Sequence, residues 1–219
     1  ASDSKPGAYA TVLVGDGDHM GVAIDKIPTI EGHQTFGRYL SKFSCEAGVI
    51  VAKHQGSLIY SGGDDVMAYL PLNAFAECCH ELQDSFKKLM AKALAEINVA
   101  APNPPTFSAG VAIVHHSCPL SRAHELARSA EKMAKAEGGR DALAIIQDKR
   151  SGAPRPVFGK WRQIYPDLQS LVQLFCEGKL PGTFAYDLLA IARLSGSEIR
   201  MTADSISEPA NTTAACILR

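Results

Sequence analysis

The sequence predicts an α+β domain, a single sheet with helices on one face, followed by a small helical segment. Three observations carry that reading. Short apolar or alternating runs, bounded by turn formers, recur between residues 9 and 146. Between them lie stretches whose apolar residues follow helical spacing. Beyond residue 158 the strand-like runs stop and helical spacing continues alone.

Residues 1–8 are polar, contain Gly and Pro, and read as a loose leader. Tyr9 to Val14 is a near-continuous apolar run, as in a central strand. It is expected to end in a loop, Gly15-Asp16-Gly17-Asp18-His19-Met20-Gly21. From Gln34 to Ala52, Phe36, Leu40, Phe43, Ala47 and Ile50 share one helical face. Ser57 to Tyr60 and Val66 to Pro71 read as half-buried strands around a tight turn, Ser61-Gly62-Gly63-Asp64-Asp65. Asn73 is the predicted N-cap of a helix reaching about Asn98, with Lys87, Lys88 and Lys92 on its solvated side. Residues 99–106 hold three prolines and form a loop. Phe107 to Val114 is a buried-type strand, followed by His115 and His116, read as loop histidines. Ser121 to Glu137 is a helix with a small-residue face, ended by Gly138-Gly139. Ala142 to Ile146 is the last strand.

Residues 149–159 are rich in Pro, Gly, Arg and Ser and mark a boundary. It separates a domain over residues 9–158 from a helical segment over 159–219, which reads as incomplete. Helices are expected at Trp161 to Cys176 and Phe184 to Leu194, while residues 202–219 stay ambiguous. The order of elements suits a ferredoxin-like or polymerase-palm, nucleotide cyclase-like domain.

Composition narrows the classes. The chain has 219 residues, 46% of them hydrophobic, enough to bury a core. A net charge of −1 argues against gripping nucleic acid through bulk charge. No run of 18 apolar residues and no signal-peptide pattern occur, so neither a membrane span nor export is expected. The six cysteines form no C-x-x-C pair and read as reduced thiols of a cytoplasmic protein.

The chemistry concentrates in two acidic clusters. A Gly-Gly-Asp-Asp turn alone is common surface chemistry. The second cluster, Asp16 and Asp18 at the end of the first strand, changes its meaning. Gly62 and Gly63 leave room for a ligand near the backbone. Asp64 and Asp65 project from the tip. Hard divalent cations, with the phosphates that accompany them, take such oxygen ligands. Asp16 and Asp64 are therefore the expected direct metal ligands. Asp65 is expected to share a metal or to activate a hydroxyl. Gly17, Asp18, Ser61, Gly62 and Gly63 form the expected nucleotide-binding set, with Asp18 supporting the loop and Ser61 touching base or ribose.

With both clusters placed, the sequence resembles the second palm domain of the large polymerase-like subunit of type III CRISPR effector complexes, of the type III-B (Cmr) form. The resemblance rests on Asp16-Gly17-Asp18-His19-Met20-Gly21, Tyr60-Ser61-Gly62-Gly63-Asp64-Asp65-Val66, Phe107 to Ile113, Ala134-Lys135 through Leu143, and Lys149-Arg150-Ser151-Gly152. It covers about residues 9–158. Diguanylate cyclases share this palm, but their hairpin reads Gly-Gly-(Asp/Glu)-Glu-Phe, where this chain has Asp65-Val66. The resemblance implies synthesis of cyclic oligoadenylates from ATP with two divalent ions, Mg²⁺ or Mn²⁺. It implies as partners the other effector subunits, guide RNA and target RNA, and a second palm across the pocket. It makes Lys135 a candidate triphosphate contact. The family's nuclease-like domain, first palm and zinc-bearing domain are not in this sequence, so the chain is expected to be a fragment or a minimal stand-alone relative. A stand-alone palm making a cyclic dinucleotide, and a non-catalytic ATP-binding or docking scaffold, are the competing readings.

Overall fold

A computed structural model describes residues 7–101, 103–149, 152–181, 183 and 184. The expectations for residues 1–6, 202–219 and nearly all of the helix from Phe184 to Leu194 lie outside the described residues. The chain divides into two compact units, Ala1–Trp161 and Arg162–Arg219.

The first unit is built on one sheet. Its strands are β1 (Tyr9–Asp18), β2 (Ser57–Gly62), β3 (Asp65–Pro71), β4 (Thr106–His115), β5 (Ala142–Asp148) and β6 (Arg155–Lys160). Their spatial order is β2-β3-β1-β4-β5-β6. β4 and β5 run parallel, and every other pair is antiparallel. The helices are α1 (Met20–Ile24), α2 (Ile30–Lys53), α3 (Phe75–Glu96) and α4 (Leu120–Ala136). Belonging mainly to the second unit, α5 (Trp161–Cys176) has the bounds its helical spacing predicts. Among the described residues no helix is long and apolar enough to cross a membrane.

The helices cover both faces of the sheet, not one. β4 is buried at nearly every position, so both of its faces must be covered. Phe107 meets Phe43 of α2 and Phe86 of α3, with ring centroids 5.7 and 5.4 Å apart. Ala112 and Val114, on the opposite parity of the strand, pack with Val12 against Ala123, Ala127, Ala130 and Ala134 of α4. Local periodicity predicts the helices but not the face each covers.

α4 lies directly on the backbone of β4. A Cβ built on Gly110 would stand 2.0 Å from the Glu131 amide nitrogen and 2.4 Å from the Ala127 carbonyl oxygen. Glycine at this position and alanines on the helix together permit the approach.

Three local expectations are corrected, and one short helix has no sequence signal. β1 does not stop at Val14: it continues through Asp18, paired to Thr106 of β4, because ladder pairing overrides the low strand preference of Gly and Asp. Asn73 is not the N-cap of α3; Ala74 holds that position without a side-chain cap. The stretch read as a boundary contains β6, an exposed edge strand, where Pro156 is tolerated because one side needs no ladder donor. α1, five residues long, is too short to show periodicity. Cys78 and Cys79 are buried in α3, and burial followed by the nearby Glu81 charge pushes the Cys78 thiol up to about 12, so it stays protonated.

Gly110→Ala forces α4 off β4 and is expected to cost about 3 kcal/mol, at the upper end for overpacking a core. Denaturant unfolding checks this, and a loss well under about 1 kcal/mol would contradict the packing described.

Candidate functional site

The site forms where the end of β1, the β2–β3 hairpin and the end of α4 meet. Gly63 and Asp64 are the two-residue loop of the hairpin. Gly63 has φ +67°, and Asp64 is not among the positive-φ residues, which matches a type II′ turn. Glycine is needed at this first loop position. A Cβ built on Gly63 would have no atom within 4 Å, so the tip is open to a ligand there.

The hairpin is pinned to α2. Ser61 Oγ donates to the Ser44 carbonyl at 3.3 Å, and Ser44 Oγ donates to the Gly63 carbonyl at 3.2 Å. On the other side the tip leans on β1. A Cβ on Gly17 would lie 2.7 Å from Asp64 Oδ2 and 2.8 Å from Asp64 Cβ. The absence of a side chain at position 17 therefore lets Asp64 reach the first strand.

Three carboxylates converge as a result. Asp64 and Asp65 both stand near enough to Asp16 for its charge to bear on them. Partial burial pushes the Asp64 carboxyl up to about 6; a backbone hydrogen bond opposes this, and the Asp16 and Asp65 charges add to it. Burial also raises Asp65, helped by Asp16 and opposed by Lys135. Lys135, in the last turn of α4, is ion-paired with Asp16 and with Glu131, the latter at 2.8 Å. Burial pulls the Lys135 pKa down, but these two carboxylates overcome it and hold the ammonium above its ordinary range.

Asp18 takes a different environment. It is 1% exposed, and its Oδ2 accepts from Thr106 Oγ1 at 2.8 Å, Ser108 Oγ at 2.8 Å and the Asp141 amide at 3.0 Å. Its Oδ1 is buried without a hydrogen-bond partner.

The structure thus brings Asp16, Gly17, Asp64, Asp65 and Lys135 together, with Gly63 at the open tip. Gly62 sits under the Tyr60 hydroxyl, 2.3 Å from where a Cβ would be. Ser61, expected on a base or ribose, instead donates a hydrogen bond to the Ser44 carbonyl of α2. Asp18, expected in the nucleotide-binding set, is turned inward, because Thr106, Ser108 and Asp141 supply donors inside the fold. Sequence reasoning missed Glu131 and Ser44. The i,i+4 spacing to Lys135 is the signal that finds Glu131; Ser44 carries none.

Among the described residues, no group of three or more His, Cys, Asp or Glu side chains is drawn together so as to hold a metal ion as it stands. The donor set nonetheless fits a hard divalent cation by its chemistry. Asp16, Asp64 and Asp65 offer carboxylate oxygens, and their crowding disfavours full ionisation without a cation.

A six-stranded sheet with helices on both faces, and a hairpin delivering carboxylates against the first strand, define a palm-type domain. A family model described as Cas10/Cmr2, second palm domain, matches residues 9–144. The chain belongs to this family. A curated relative, CRISPR system Cmr subunit Cmr2 of Pyrococcus furiosus, is 33% identical over a match covering 68% of this chain and 19% of the relative. A Csm1–Csm4 cassette in complex with pppApA superposes with a TM-score of 0.54 at 17% identity, covering 64% of this chain and 21% of that one. Csm1 from T. onnurineus superposes with a TM-score of 0.54 at 18% identity, with the same coverage of 64% and 21%. At that identity the structural likeness concerns the fold. The chain spans about a fifth of the length of these relatives.

The Asp64 shift has a consequence for stability. The folded carboxyl titrates at about 6 against 3.8 for the ordinary group, so the folded state binds the proton more tightly. The associated stability is present below about pH 4 and is lost as pH rises through 6. In chelator-containing buffer, Asp64→Asn is expected to raise Tm at pH 8 and to leave it unchanged at pH 4. An equal Tm at pH 8 would contradict the crowding.

Proposed function

We propose that this domain transfers nucleotidyl groups between ATP molecules to make cyclic oligoadenylates, as part of an RNA-guided type III CRISPR effector. The convergence of Asp16, Asp64 and Asp65 at the hairpin tip, with Lys135 beside them, is the observation that carries this reading. In each elongation step the 3′-hydroxyl oxygen of one adenosine attacks the α-phosphorus of another ATP, and in ring closure the last 3′-hydroxyl attacks the α-phosphorus of the same chain's 5′-triphosphate. The new O–P bond forms as the bond to pyrophosphate breaks, and the hydroxyl proton leaves to a base.

Asp16, Asp64 and Asp65 would hold the divalent ions, Mg²⁺ or Mn²⁺. Those ions supply charge neutralisation and Lewis acidity. Asp65, whose carboxyl is raised, is the candidate acceptor of the hydroxyl proton. Lys135 is a half-buried cation next to the carboxylates and suits a triphosphate oxygen. The open side of Gly63 admits the nucleotide. Adenine specificity draws support from relatives: Csm1–Csm4 cassettes have been solved in complex with pppApA, with AMPPNP and with cA4. The same relatives support further effector subunits as partners. Guide RNA, target RNA, a second palm and a cytoplasmic setting complete the reading.

The test is product mass. The assembled complex with target RNA, ATP and Mg²⁺ or Mn²⁺ is expected to yield cyclic oligoadenylates, and Asp64→Ala with Asp65→Ala to yield none while Tm is held or raised. Unchanged product from the double variant would overturn the assignment. Gly17→Ala moves Asp64 off β1, and a misplaced ligand is expected to lower turnover about 100-fold. Wild-type turnover from that variant would contradict the role given to Asp64.

A further inference from the structure

The turn joining α4 to β5 is strained. Gly139, Arg140 and Asp141 have φ of 69°, 62° and 46° in succession. Only the glycine adopts that region without cost, so something must hold Arg140 and Asp141 there. Three side chains do. Lys160 Nζ donates to the Gly139 and Arg140 carbonyls at 2.5 and 2.6 Å. Gln83 Nε2 donates to Asp141 Oδ1 at 3.3 Å. Asp18 Oδ2 accepts the Asp141 amide at 3.0 Å, and the same oxygen accepts Thr106 and Ser108 of β4.

Asp18 therefore ties the turn that ends α4 to the strands β1 and β4. Asp16 stands two residues earlier on β1, on the same face, and is paired with Lys135 from the last turn of α4. One strand end thus holds the end of α4 and the turn after it at two points: the Asp16 carboxylate takes the Lys135 side chain, and the Asp18 carboxylate takes the Asp141 backbone amide.

We propose that Asp18 is a positioning residue: it fixes the strained turn at residues 139–141 and thereby sets Lys135 and Glu131 opposite Asp16, without touching metal or nucleotide. The proposal rests on reading Asp16 and Lys135 as parts of a nucleotide site. It makes an unusual demand of the carboxylate. All three donors meet Oδ2, and Oδ1 has no partner, so one acceptor oxygen is needed and the charge is not. An asparagine oxygen can stand in the same place. A carboxylate that holds a divalent ion would lose its charge on that exchange, and with it much of its hold on the ion.

Asp18→Asn and Asp18→Ala separate these roles. In the assembled complex, Asp18→Asn is expected to keep product formation within about threefold of wild type, and Asp18→Ala to lose about tenfold or more through misplacement. Asp16→Asn, which removes the charge of an expected metal ligand, is the reference for loss of charge. In the full chain, amide exchange over residues 137–142 is expected to speed up in Asp18→Ala and to stay at the wild-type rate in Asp18→Asn. A fall in Asp18→Asn as deep as in Asp16→Asn overturns the proposal, and so does unchanged exchange over that turn in Asp18→Ala. If the wild type forms no product, the nucleotide reading fails, and the exchange comparison alone decides whether Asp18 holds the turn.

Discussion

The structure depends on holding like charges together. Asp16, Asp64 and Asp65 meet at one corner of the sheet, and each ionised carboxylate disfavours the others. A fold does not gain stability from such an arrangement. It persists because the elements that deliver the carboxylates are fixed by contacts elsewhere. Among the described residues, Lys135 is the cation placed beside these carboxylates, and it is shared with Glu131. A corner that is over-negative and only partly compensated suits a cation-dependent phosphate chemistry.

The supporting contacts are made of missing atoms as much as present ones. Gly17 has no side chain, so the hairpin tip can press on β1. Gly15 leaves room for the Phe107 ring, which would lie 2.3 Å from a Cβ there. Gly110 lets α4 settle on the backbone of β4, and that depth sets how far Lys135 reaches. The rings of Phe43, Phe86 and Phe107 close the opposite face, so the sheet has no freedom to yield beneath the site.

Much of this was legible in the sequence. The apolar runs and helical spacings placed α2, α3, α4 and α5 and most strands, and α2, α3, α4, β4 and β5 bury most of the apolar residues that marked them; β2, read as half-buried, is exposed over Ser57 to Tyr60. The two acidic clusters marked the corner, and the family they resembled is the one to which the chain belongs. What escaped was set by tertiary pairing. Residues 15–18 read as a loop because Gly and Asp disfavour strands, yet β4 pairs with all four residues and β3 with Gly15. β6 carries Pro156 and exposed side chains, so nothing local marks it as a strand. The inward turn of Asp18 depends on donors 88, 90 and 123 residues away, which no local pattern reveals. The occupation of both sheet faces is likewise a property of the assembled sheet.

The most direct measurement of the central claim is Mn²⁺ binding in the presence of a non-hydrolysable ATP analogue, followed by electron paramagnetic resonance on the chain and on Asp64→Asn. The account predicts saturable Mn²⁺ uptake by the wild type and its loss in the variant. Equal uptake by both would show that the carboxylate corner is not where the cation binds, and the nucleotidyl-transfer reading would fall with it.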